Sequence, residues 1–292
     1  RKVLGSRGAE GNFTVRGDVR ADPGEAGYKA MVEKIKAMLH QGEAIQVVPS
    51  VNFSVACEGD PFVLYRRMRR YNASPYMFFM RLGDFCFWGA SPEVMVRCEK
   101  GRLQLSPIAG TRRRGRDDLE DARLAEELRS DPKEQAEHVM LVDLARNDMG
   151  RVSEFGSVKV TDFMKIQYYS HVMHIVSLVE GRKKGKYHPF DLVSSFLPAG
   201  TLSGAPKIRA MEIIDELETV RRGLYGGATG YVDFSGDMDF CITIRTMIKK
   251  GEKVYLQAGA GIVADSVPEK EYQECCNKAM ALAKTLVAEE AL

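Results

Sequence analysis

The sequence predicts a mixed α+β fold, on three observations. Between Tyr76 and Leu105, four short runs (Tyr76 to Met80, Phe85 to Trp88, Val94 to Cys98, Leu103 to Leu105) are separated by Gly-Asp and Lys-Gly turns, the pattern of an antiparallel meander. From Thr229 strands return: Thr229 to Phe234, Phe240 to Ile248 and Val254 to Gln257, divided by Ser-Gly-Asp and Lys-Gly-Glu turns. Around them lie stretches with helical periodicity, namely Tyr28 to Leu39, Asp131 to Asp148 and Val267 to Ala288. The strand-rich middle and C-terminal thirds contradict an all-helical body, which disposes of a di-iron bundle built on Glu134-x-x-Glu137-His138.

The chain has 292 residues, enough for a sizeable buried core, and 45% hydrophobic with 28% charged residues is the composition of a globular protein. Lys plus Arg is 42 against 40 for Asp plus Glu, so no global field points to nucleic acid or to a membrane surface. Six cysteines form no Cys-x-x-Cys pair and have no His spacing suited to zinc, and adjacent Cys275-Cys276 is a poor disulfide. The N-terminus lacks the apolar run of a signal peptide, and no stretch is apolar enough to span a bilayer. These features suit a reducing cytoplasm. The first residue is Arg1 rather than Met, as expected of part of a longer product.

In chain order, residues 1–24 are rich in glycine and charge without periodicity and read as a lead-in or linker, leaving 25–292 as the folded domain. Tyr28, Met31, Val32, Ile35, Met38 and Leu39 follow the helical template until Gly42 stops it. Ile45 to Val48 and Phe53 to Ala56 read as strands, with Gln46 an amide inside an apolar run. A short helix from Pro61 to Arg70 precedes the meander. The cluster Arg112-Arg113-Arg114-Gly115-Arg116 reads as a solvated loop, and Asp117 to Ser130 as an acidic, exposed helix. Ser157 to Val160 reads as a strand, and His171 to Glu180 alternates so that Val172, His174, Val176 and Leu178 share a face. A histidine among valines is more often a hydrogen-bonded core residue than a catalyst. Ile208, Met211, Ile214 and Leu217 line an amphipathic helix.

The candidate chemistry begins at Asp131-Pro132, a helix start with Asp as N-cap and Pro in the first turn. On that helix Glu134, Glu137 and His138 share a face. Glu271 and Glu274 repeat the spacing near the C-terminus. Two carboxylate pairs facing one cavity would suit a hard divalent cation, although acidic residues three apart more often mark a solvated face. Glu93, at a strand entrance beside Trp88, is placed where desolvation raises a carboxyl pKa toward proton donation, against the blander reading of an exposed turn. The run Pro198 to Lys207 puts small residues and hydroxyls before a helix. Exposed N–H groups there suit a carboxylate or phosphate, unless Ser203 merely caps the helix. Arg245 stands in a strand fit for burial and needs an anionic partner, protein or ligand. Gly259-Ala260-Gly261 lacks the third glycine and the following helix of a dinucleotide fingerprint, and reads as closely approaching backbone.

Taken together, Gly42 to Val48, Ser91-Pro92-Glu93, Pro107 to Arg112, Glu137-His138 with Leu141 to Asp148, Thr201 to Lys207, Tyr225-Gly226-Gly227, Ile244-Arg245-Thr246 and Gly259-Ala260-Gly261 resemble the chorismate-utilising enzymes. Within that family the likeness is to the large subunit of anthranilate synthases. The segments occur in order from about residue 25 to 285.

The resemblance implies an α+β fold of two antiparallel sheets packed between helices, with chorismate and Mg²⁺ in a cleft. By motif, Glu137 and Glu274 match the Mg²⁺ ligands, with Glu134 and Glu271 as neighbours acting through water. The Thr201 to Ala205 run, including Ser203 and Gly204, matches the holder of the ring carboxylate. Tyr225, Arg245 and the Gly261 backbone match the grip on the enolpyruvyl carboxylate. Glu93 resembles the general acid that protonates the departing 4-hydroxyl as ammonia adds to the ring, and His174 the histidine of pyruvate elimination. Gln46 stands where water-using members carry an activating Lys, and Ala109 where many aminodeoxychorismate synthases carry a Lys that attacks the ring. Both favour ammonia as nucleophile and anthranilate as product.

Two departures accompany the likeness. Family members of this type are usually much longer and carry a tryptophan feedback site in an N-terminal region missing from this sequence, and Val51-Asn52 differs from the usual basic or amide residue. The family takes ammonia from a glutamine amidotransferase subunit, and no such triad is present, so a separate partner is implied. The alternatives are an aminodeoxychorismate-forming enzyme and a chorismate-binding fragment without turnover.

Overall fold

The structure is a computed structural model, described for residues 11–71, 73–169, 172–185 and 187–286. The chain forms two compact units: residues 1–92, 208–225 and 243–292 make the first, and 93–207 with 226–242 the second. Each is built on one antiparallel sheet, which is the architecture the resemblance implied.

The first unit holds a six-stranded sheet in the order Phe13–Asp22, Ser50–Gly59, Lys253–Gly259, Thr246–Lys250, Phe85–Ser91, Tyr76–Leu82. The edge strand Phe13–Asp22 falls in the stretch read as lead-in; residues 1–10 lie outside the described residues. Its alternation was hidden by polar side chains on both faces, seven of its ten positions being exposed. Helix Glu25–His40 buries Tyr28, Met31, Val32, Ile35 and Leu39, the stripe that the 3.6-residue period predicts, and ends before Gly42 at φ +80°. These side chains pack on Val47, Val51, Ala260 and Ile262, and on Ala210, Ile213 and Ile214 of helix Lys207–Leu217. Burial of each large apolar side chain contributes about 2 kcal/mol. On that second helix Ile208 and Met211 are exposed, contrary to the expected apolar face. A further cluster joins Trp88, Met247 and Leu256 of the sheet to Leu64 and Met68 of helix Phe62–Tyr71 and to Ala279 and Leu282 of helix Pro268–Ala283.

The second unit holds a seven-stranded sheet. Ala228–Val232, Met238–Ile242, Val94–Glu99 and Arg102–Leu105 run in order to Val172–Arg182, which also pairs with Ile108–Arg113 and with Lys159–Tyr168. Helix Asp118–Ser130 packs Leu124, Ala125 and Leu128 on Met173 and Ile175, so one face of the helix expected to be exposed is buried.

The expected meander is split. Its first two strands pair in the six-stranded sheet and its last two in the seven-stranded one, because Pro92 cannot donate to a ladder and the chain leaves one sheet there for the other. The strand expected from Phe240 to Ile248 is likewise two strands, interrupted at residues 243–245, where Arg245 takes φ +50°. Among the described residues, no helix is long and apolar enough to cross a membrane, and all six cysteines are free.

Candidate active site

In the second unit, helix Pro132–Val152 starts as its sequence predicts. The Asp131 side chain accepts from Lys133 N at 3.0 Å and Glu134 N at 3.3 Å, and Pro132 fills the first turn. The helix carries Glu134 and Glu137 half-buried, while His138 turns fully into the core, so the three do not form one solvent-facing set. His138 Nε2 lies 2.6 Å from Ser177 Oγ, and burial lowers its pKa to about 4, which keeps the imidazole neutral. Arg112 reaches Glu127, Asp131 and Glu134 at 3.2, 3.1 and 3.3 Å. Arg113 pairs with Glu120, and Arg114 with Asp121 and the Tyr169 carbonyl. The basic cluster is thus the end of a strand tied to a helix by ion pairs, rather than a solvated loop. Gly110, at φ +63°, is the close approach on this side: a Cβ would sit 2.9 Å from Glu134 Oε2 and 2.8 Å from Leu128.

His174 occupies the half-exposed face of Val172–Arg182, and the buried face is Met173, Ile175, Ser177 and Val179. The core reading of His174 is therefore one residue out of phase. Its Nδ1 lies 2.8 Å from the Gly110 carbonyl, a position that requires the proton on Nδ1 and leaves Nε2 as the basic nitrogen. Thr111 Oγ1 is 3.1 Å from the same nitrogen, and the ring packs edge-on to Tyr169.

A small cavity of about 40 Å³, open to solvent, lies in this unit, walled by Val94, Met95, Leu141, Leu144 and Phe196 and edged by the polar Glu93, Thr201 and Asp148. Glu93 immediately precedes the strand Val94–Glu99, as expected, and its carbonyl accepts from Ile242 N at 3.0 Å. Gly200–Ser203 forms a single helical turn. Ser203 Oγ donates back to the Ala199 carbonyl at 3.1 Å, so it does not cap the following helix. Thr201 Oγ1 is buried with no hydrogen-bond partner. Gly204, at φ +130°, and Ala205 carry the chain toward Lys207, whose Nζ donates to both oxygens of Asp148. Burial pushes the Asp148 carboxyl up, and Lys207 only partly offsets it.

In the first unit, Gln46 is 3% exposed, and its amide lies against Gly261, where a Cβ would stand 2.6 Å from Nε2. At Gly259 a Cβ would meet the Pro49 carbonyl at 2.6 Å and the Tyr225 hydroxyl at 2.8 Å. The glycines flanking Ala260 therefore admit two of the predicted site residues, as the close-backbone reading requires. Arg222 stacks over the Tyr225 ring at 5.5 Å, and burial raises the Tyr225 pKa, so the phenol keeps its proton. Arg245 stands in the break between strands rather than within one. Its guanidinium is desolvated enough to lower its pKa and feels only the more distant charges of Tyr225 and Glu274. Among the described residues, no hydrogen bond or ion pair engages it.

Helix Pro268–Ala283 buries Glu271 together with Cys275, Ala279 and Leu282, and leaves Glu274 at the rim of that face. Lys278 Nζ bonds Glu274 at 2.6 Å and the Gly259 carbonyl at 2.8 Å. Lys278 was passed over in the sequence, where its one signal was the Glu-to-Lys spacing of four on a helix.

Of the predicted site residues, Gln46, Tyr225, Arg245, Gly261, Glu271 and Glu274 belong to the first unit, and Glu93, Glu134, Glu137, His174, Thr201, Ser203, Gly204 and Ala205 to the second. Among the described residues, no group of three His, Cys, Asp or Glu side chains is disposed to hold a metal ion. Each unit nevertheless carries a carboxylate pair, oxygen donors of the kind a hard cation takes one or two at a time alongside water and substrate oxygens.

The sequence profile described as chorismate binding enzyme matches residues 6–284. Anthranilate synthase component 1 of Acetivibrio thermocellus is 58% identical over 255 residues, 87% of this chain and 52% of its own length. That of Bacillus subtilis (strain 168) is 55% identical over 267 residues, covering 91% and 52%. The crystal structure of anthranilate synthase component I from Streptococcus pneumoniae TIGR4 superposes with a TM-score of 0.85 at 46% identity, over 92% of this chain and 59% of that one. The menaquinone-specific isochorismate synthase MenF from Escherichia coli also superposes at 0.85, with 26% identity, over 94% and 64%. The chain spans about half the length of the curated relatives it matches. With a profile match across nearly its whole length and the same two-sheet architecture, the chain belongs to the chorismate binding enzyme family.

Proposed function

We propose that this chain is the catalytic region of an enzyme that adds ammonia to chorismate, with loss of the 4-hydroxyl as water, and then eliminates pyruvate to give anthranilate. The observation that carries the reading is Arg245. A desolvated guanidinium with no carboxylate bonded to it within its unit calls for an anionic ligand, and chorismate carries two carboxylates. The two relatives compared above, both anthranilate synthase component 1, support anthranilate as the product.

Arg245, the protonated Tyr225 hydroxyl and the Gly261 backbone bind the enolpyruvyl carboxylate. Thr201, whose hydroxyl is buried without a partner, binds the ring carboxylate with the backbone of Ser203, Gly204 and Ala205. Glu93 gives its proton to the departing hydroxyl. Gln46, an amide buried beside Gly261, cannot deprotonate water, which favours ammonia as nucleophile. Ala109, also buried, offers no side chain for attack on the ring. His174, with its proton held on Nδ1 by the Gly110 carbonyl, serves the elimination through Nε2. Mg²⁺, when bound through Glu137 and Glu274 with Glu134 and Glu271 acting through water, supplies positive charge to the ring carboxylate. Glu134 pairs with Arg112 at 3.3 Å and Glu274 with Lys278 at 2.6 Å, contacts that fix where each carboxylate lies.

Ammonia comes from a glutamine amidotransferase subunit, and the setting is the cytoplasm. Incubation with chorismate, ammonium and Mg²⁺, followed by mass analysis, tests the reading. Anthranilate and pyruvate support it; 4-amino-4-deoxychorismate or isochorismate overturns it.

A further inference from the structure

None of these steps uses the pair Asp148–Lys207. Lys207 Nζ donates to the two Asp148 oxygens at 2.9 and 2.8 Å, and the side chains are 10% and 6% exposed, the most deeply buried ion pair among the described residues. Such a pair is weak as a source of net stability, because desolvating two charges offsets most of their attraction. Its location gives it another use. Asp148 stands on helix Pro132–Val152, which carries Glu134 and Glu137, and it lines the same cavity as Glu93 and Thr201.

One turn earlier on that helix, Leu144 packs so tightly on Gly200 that any Cβ at 200 would collide with its side chain. Leu144 and Asp148 therefore grip the segment Gly200 to Lys207 at its two ends, one by contact and one by charge. Between the grips lie the unpartnered Thr201 hydroxyl and Gly204, whose φ of +130° is open to glycine.

We propose that Asp148 and Lys207 are a positioning pair, which holds the Thr201–Ala205 backbone and the Thr201 hydroxyl in the attitude that binds a substrate carboxylate. The proposal deepens the chorismate reading of this site and rests on it. Neither residue touches the reacting atoms; both act through Thr201 and its neighbours.

The test compares the parent chain with the double variant D148L/K207M, which removes the pair without stranding a buried charge, by amide hydrogen exchange and by steady-state kinetics with chorismate, ammonium and Mg²⁺. The double variant is expected to melt within a few degrees of the parent. Amides between residues 200 and 206 should exchange roughly tenfold faster or more, with the rest of the helix and sheet unchanged. The KM for chorismate should rise by about tenfold or more, with a smaller change in kcat. K207R, which keeps an ion pair, should fall between the two.

Unchanged exchange at 200–206 in a folded double variant overturns the proposal, as does an unchanged KM. If the double variant does not fold, D148N is read by the same two measurements, since it keeps an oxygen acceptor for Lys207. A parent chain that does not turn over chorismate would sink the functional reading, and the exchange pattern would still decide the positioning claim.

Discussion

The Gln46 amide rests on the backbone of Gly261, with no room for a Cβ between them. Gln46 is 3% exposed, so its side chain has nowhere to retreat without disturbing Val47 and Ile262, whose backbones bond each other across the same place. Gly261→Ala should therefore keep the fold but swing the amide away from its site. Steady-state kinetics should show kcat/KM lowered by about tenfold or more, with the melting temperature within a few degrees of the parent. Unaltered kinetics would remove Gln46 and Gly261 from the site.

Arg245 gives a prediction of opposite sign for stability and function. Its guanidinium is desolvated and lacks a bonded partner, so it costs the fold free energy. Arg245→Met should raise stability by about 1 kcal/mol in urea unfolding, while chorismate KM rises by about 100-fold, the worth of a charge-assisted carboxylate contact. A variant that is less stable and binds chorismate normally would show that the arginine has a structural partner instead.

Glu137→Gln and Glu274→Gln should each abolish Mg²⁺-dependent turnover and leave the far-ultraviolet spectrum and the melting temperature unchanged, since both side chains are partly solvated. Titration of activity against Mg²⁺ separates this from general damage. Full activity in either variant would cancel the metal assignment for that residue.

The cysteines supply a check on packing. Cys275 is fully buried, bonds the Tyr28 hydroxyl at 3.3 Å and has its pKa pushed up to about 12, so almost none of it is thiolate at pH 8. Cys276, next in sequence, is partly exposed, and the other cysteines are buried. Brief alkylation of the native chain at pH 8, mapped by peptide mass, should label Cys276 and spare Cys275. Equal labelling would mean that helix Pro268–Ala283 is not packed as described.

What the sequence disclosed was mostly local. Asp131-Pro132 announced its helix because cap and first-turn proline act within four residues of each other, and Gly42 ended another for a similarly short-range reason. The register of Val172–Arg182 was not legible, since both of its faces carry apolar residues and a shift of one exchanges them, so the pattern alone left His174 open between core residue and catalyst. The divided meander and the break at Arg245 were hidden too, because the chain leaves one sheet for the other through Pro92 and residues 243–245, and pairing partners are set by tertiary structure. Within the site, Arg245 was marked by its charge in an apolar run. Lys278 and the Asp148–Lys207 pair were not marked, since their partners Gly259 and Asp148 lie 19 and 59 residues away.

The most direct test of the central claim is the mass of what the purified chain makes from chorismate when ammonium and Mg²⁺ are supplied. Anthranilate and pyruvate in equal amounts is the predicted result. A product that keeps the enolpyruvyl group, whether aminated or hydroxylated, or unchanged chorismate from a folded chain, would contradict it.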